Sequence, residues 1–121
     1  MPDLKDTKYE KLAEVYTNTR RLKRKPLEHP VGSGLFLRLS DGLGQRLMAC
    51  CQVVDAGLIF PQVFRAVSGT ISVSNASELD VLCKAVILRE LYIVNGHEDL
   101  ERQIGAAQDV TEVAAIVDNR I

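Results

Sequence analysis

Between Ser77 and Val94 the chain carries Leu79, Val81, Leu82, Ala85, Val86, Ile87, Leu88, Leu91, Tyr92, Ile93 and Val94, with no proline or glycine among them. At about 100° per residue, apolar side chains at these positions occupy more than one side of a helix. A helix that is apolar nearly all round is either buried centrally or shared with a second subunit. Ser77 with Asp80 gives it a capping-box-like start, and Asn95-Gly96 gives it a stop. Any fold for this chain has to account for two apolar faces on one helix.

The flanking segments read mostly as shorter helices. From Asp3 to Lys25, Tyr9, Leu12, Val15, Tyr16 and Leu22 form a narrow apolar stripe at helical spacing. Acids come early and bases late, as the helix dipole favours, and Pro26 ends the run. Pro26 to Gly34 reads as a loop. Residues 35–39 fit a short strand or a helix equally well. Leu43, Leu47, Cys50, Cys51 and Val54 then predict a helix from Asp41 to Ala56, stopped by Gly57. Pro61 opens a short helix with Phe60, Val63, Phe64 and Val67 on one face. Gly69 to Asn75 is a loop in which Thr70 to Ser74 alternates like a strand without a partner. Glu98 to Ala107 forms one more helix, and Asp109 with Glu112 caps a last one running to Asp118.

The expectation is therefore a mainly α protein: a single compact domain, 1–121, of about five or six helices with one short strand-like segment. Residues 1–25 form the N-terminal helix with its basic end, 26–34 a loop, and 35–121 the helical core. The composition is 46% hydrophobic with 5% aromatic residues and no tryptophan, so that core is mostly aliphatic.

Several function classes are disfavoured. The apolar runs Leu47 to Val54 and Ala85 to Val94 are too short or too interrupted to cross a membrane. Asp3, Lys5, Asp6, Lys8 and Glu10 do not resemble a secretory signal, so a cytoplasmic location is expected. A disulfide between the neighbours Cys50 and Cys51 would be strained, and three cysteines are an odd count. A reducing compartment with small buried thiols follows. His29 and His97 are isolated, and no metal-ligand spacing is present, so neither metal nor cofactor is expected. Gly32-Ser33-Gly34 and Gly42-Leu43-Gly44 are too short to be nucleotide loops. A Cys83–His97 nucleophile and base is disfavoured because Cys83 lies inside the apolar helix. The chain reads as no enzyme.

Charge supplies the remaining signal. The net charge of −1 hides eight basic and five acidic residues in 1–30, against four and nine in 77–121. The run Arg20-Arg21-Leu22-Lys23-Arg24-Lys25 either caps a helix end or contacts an anionic partner. The function expected is that of a non-enzymatic helical interaction or regulatory protein, self-associating as a homodimer and binding a protein partner. Leu35, Phe36, Ile87, Leu91 and Tyr92 are its candidate interface residues. The alternative is a small nucleic-acid-binding regulator in which Arg20, Arg21, Lys23, Arg24 and Lys25 contact phosphates.

Overall fold

In the computed structural model, which describes residues 3–39 and 42–121, helix α1 (Leu4–Arg24) begins where the Asp3 carboxylate accepts the Asp6 amide at 2.9 Å. Val15, Thr19 and Leu22 form its buried face. The expected apolar stripe is narrower than its sequence implied: Leu12 is half-buried, and Tyr9 and Tyr16 lie outside. A short hairpin follows, pairing β1 (Leu27–Glu28) with β2 (Phe36–Leu37) in antiparallel register. Its loop is tied by the Glu28 carboxylate, which accepts the amides of Gly32 and Gly34. Within residues 35–39, Phe36 and Leu37 are thus strand, with Leu37 fully buried.

Helix α2 (Leu43–Val53) is shorter than expected. A 3-10 turn (Val54–Ala56) continues it, and Gly57 ends that turn in the left-handed region at φ 97°. Its expected first residue, Asp41, lies outside the described residues. The segment after Pro61 is not a helix. Gln62–Ala66 is strand β3, paired antiparallel with β4 (Gly69–Val73) across Val67 and Ser68. Phe64 and Ala66 face inward beside Ile71 and Val73, while Val63 and Arg65 face out. The partner that Thr70–Ser74 needed is therefore the segment just before it.

Helix α3 (Ala76–Ala106) is one continuous element. Its cap is Asn75, whose side chain accepts the Glu78 amide at 2.9 Å, and the Glu78 carboxylate accepts the Ser74 amide. The start is thus set by Asn75 and Glu78, not by Ser77 and Asp80. Asn95-Gly96 does not stop the helix. A Cβ on Gly96 would lie 2.5 Å from Arg120 Cδ, so this glycine serves a close approach instead of a helix end. Helix α4 (Val110–Ala114) is capped by Asp109 and Glu112 as expected, but stops before Asp118.

The expectation of five or six helices is corrected accordingly. Among the described residues there are four α-helices and two small two-stranded antiparallel sheets, a mixed α/β arrangement. The chain divides into two compact units, Met1–Lys23 with Glu90–Ile121, and Arg24–Arg89. In the second unit, Leu37, Leu47, Phe64, Val73, Leu79 and Leu82 form the centre of the core. Arg46 crosses the Phe64 ring at 4.7 Å and donates to the Val63 carbonyl. In the first unit, Val15, Leu100 and Ile104 pack together with Leu12 and Ile116.

Candidate functional site

Helix α3 carries an exposed apolar face. Leu79, Leu82, Cys83, Ile93, Leu100 and Ile104 are buried along one side. At about 100° per residue, Val81, Leu88 and Tyr92 fall within about 40° of one another on the opposite side. They are 56%, 67% and 58% exposed; Leu91 flanks them, and Ile87, also exposed, lies nearer the buried side. Of the expected interface residues, Leu91 and Tyr92 lie on or beside this surface, and Ile87 is exposed closer to the buried side of α3. The other two do not join them: Leu35 packs against the core of the second unit, and Phe36 lies on β2. Val81 and Leu88 were missing from the expected set, although their seven-residue spacing marks one helical face.

The basic run lies at the end of α1. Arg20, Arg21, Lys23, Arg24 and Lys25 are all exposed. Lys23 meets Glu90 at 3.7 Å; among the described residues no other carboxylate pairs with these five. The Lys25 carbonyl accepts from the Arg89 guanidinium.

The densest polar constellation is one that the sequence reading missed. The Arg120 side chain is buried, and Nε and Nη2 grip both oxygens of Asp118 at 2.9 and 2.7 Å. Nη1 donates to Thr19 Oγ1 at 2.7 Å and to the Ile93 carbonyl at 3.0 Å, and Nη2 reaches the Val15 carbonyl. Thr19 Oγ1 lies 2.6 Å from His97 Nδ1, and His97 Nε2 lies 2.7 Å from the Glu101 carboxylate. Asn18 also donates to Asp118. The hydrogen bonds from Arg120 and their coulombic support hold the Asp118 carboxyl down at about 2, against the opposing pull of its partial burial. Hydroxyl, imidazole and carboxylate stand in line, but Thr19 is buried and its oxygen is taken by the guanidinium. The network's chemistry is that of a clasp holding residues 118–120 against α1 and α3. Nothing in the local sequence around Arg120 marks it, because apart from Asp118 its partners are 27 to 105 positions away.

The cysteines depart from expectation. Cys51 and Cys83 form a disulfide with a Cα–Cα separation of 6.8 Å, and Cys50 alone is free and buried. The sequence reading weighed only the neighbouring pair, and the packing of α2 and α3 supplies the distant one. Cys83 is thus occupied, and both ring nitrogens of His97 are taken, so the two form no nucleophile and base. His29 is partly buried in the first hairpin loop, and burial lowers its pKa. Among the described residues no group of three His, Cys, Asp or Glu side chains is placed to hold a metal ion, and no helix is long and apolar enough to cross a membrane. No protein family, no curated protein and no solved structure matches this chain.

Proposed function

We propose that this chain is a non-enzymatic interaction protein that acts as a homodimer through the outer face of α3 and serves a protein partner in that form. The observation that carries this reading is the set of Val81, Leu88, Leu91 and Tyr92, each exposed on the side of α3 away from its buried residues, with Ile87 exposed nearer the buried side. Single exposed hydrophobes need no explanation, whereas several large ones grouped on one side of a helix are a usual mark of an interaction surface. A second copy is the favoured occupant because of the charges beside these residues. Lys84 pairs with Asp80 at 2.8 Å on the same helix, and that hydrogen bond raises the lysine pKa. The pair is self-neutralised, so a two-fold pairing of α3 with itself meets little like-charge repulsion there. The expectation of a cytoplasmic location leans in part on free thiols, and the Cys51–Cys83 bridge removes that support.

Size-exclusion chromatography with light scattering tests the dimer. The expected mass is twice the 13.4 kDa of the chain, falling to a single chain for Leu88→Glu with an unchanged circular dichroism spectrum. Because Leu88 is two-thirds exposed, the substitution should leave the fold of the isolated chain intact. A wild-type protein that stays monomeric at tens of micromolar refutes the proposal.

A further inference from the structure

All three tyrosines of this chain are more than half exposed, and two of them sit on the helix that carries the basic run. At about 100° per residue, Lys5, Tyr9, Ala13, Tyr16, Arg20 and Arg24 lie along one line of α1, at steps of three or four. Each of these six is exposed. Tyr9 is 75% exposed and borders an open cleft of about 510 Å³ whose other described walls are Leu4, Lys5, Lys8 and Leu12. Lys8 is held in place by the Gly105 carbonyl, to which its ammonium donates at 3.0 Å. Tyr16 is steadied by an edge-on contact with the His97 ring, with centroids 4.5 Å apart. Ala13, between the two tyrosines, leaves space beside each ring.

We infer that this face of α1 binds single-stranded nucleic acid, with bases stacking on Tyr9 and Tyr16 and with Lys5, Arg20 and Arg24 holding phosphates. Aromatic rings alternating with cations are the combination such a ligand requires, since every base has a stacking face and every linkage a negative charge. Helix-end capping accounts for bases in the last turn, but it accounts neither for two outward tyrosines nor for Lys5 in the first. A duplex keeps its bases stacked internally and would engage only the cations. An acidic peptide would likewise leave the rings unused. Lys23, paired with Glu90, contributes less than Arg20 and Arg24.

The test is fluorescence anisotropy of the full chain with labelled 20-nucleotide oligothymidylate and oligouridylate, with a duplex and poly-glutamate as comparators. Binding of the single strands is expected to weaken steeply with salt. Tyr16→Ala should cost about tenfold in affinity, Tyr9→Ala a similar factor, and Tyr16→Phe almost nothing. Arg20→Glu with Arg24→Glu should abolish binding at moderate salt. Because Tyr9 is so exposed, its variant reports on binding even if Tyr16→Ala disturbs the His97 contact. Absence of single-strand binding at low salt overturns the proposal. So does binding that survives both tyrosine-to-alanine changes, or binding equally tight to duplex or to poly-glutamate.

Discussion

Gly96→Ala sets two effects of opposite sign against each other. In an exposed helix interior, alanine is favoured over glycine by about 1 kcal/mol. At Gly96 of α3, however, the added methyl carbon would stand 2.5 Å from Arg120 Cδ and 3.0 Å from Cγ. A side chain free to move would yield at little cost. Arg120 is not free, because its guanidinium is bonded to Asp118, Thr19 and the carbonyls of Ile93 and Val15. Withdrawing far enough to admit the methyl group strains or breaks some of these bonds. Hydrogen bonds involving a charged group contribute about 1.5–3 kcal/mol each, so their loss outweighs the propensity gain. Urea denaturation followed by circular dichroism should show Gly96→Ala destabilised by about 2–4 kcal/mol, with an unchanged slope. The same substitution made on an Asp118→Asn/Arg120→Ala background, where no charge is left unpaired, should instead stabilise by about 1 kcal/mol. A stabilised Gly96→Ala, or the same effect in both backgrounds, refutes the close-approach account of this glycine.

The clasp also titrates. The folded pKa of Asp118, about 2, lies below its ordinary 3.8, so the unfolded chain binds more protons between those values. The stabilisation is complete above the unfolded pKa and is lost as pH falls through the folded one, amounting to at most about 2 kcal/mol for this mostly buried side chain. The stability gap between wild type and Asp118→Asn should therefore be flat from pH 7 to 5 and shrink towards pH 2; a gap of constant size throughout removes the carboxylate from the account. The Cys51–Cys83 bridge closes a loop of 32 residues in sequence separation, for which chain entropy gives about 3–4 kcal/mol. Alkylation of the unfolded, unreduced protein should label Cys50 alone, and reductant should lower the urea midpoint. Label on Cys51 or Cys83 contradicts the bridge, and the same labelling on cells rapidly quenched in acid reports whether the bridge exists in the compartment where the protein works.

What could be read in the sequence was local, and what could not be read depended on residues far apart in the chain. The N-terminal helix, the stop at Gly57 and the Asp109–Glu112 cap are decided by side chains within a few positions of the backbone groups they serve, and these came out as expected. The segment from Phe60 to Val67 failed because its residues satisfy both a helical and an alternating pattern. Only its pairing with Gly69–Val73 settles which, and the alternation at Thr70–Ser74 was the available signal. Gly96 failed for a different reason: a glycine placed to admit a distant side chain looks, in sequence, like one placed to end a helix. Tyr16 sat at an apolar spacing on α1, yet the inward place beside Val15 is held by Thr19, which the Arg120 clasp requires. The feature hardest to read in this chain, the buried Arg120, thus bears on the glycine inside α3 and on the buried face of α1 through Thr19.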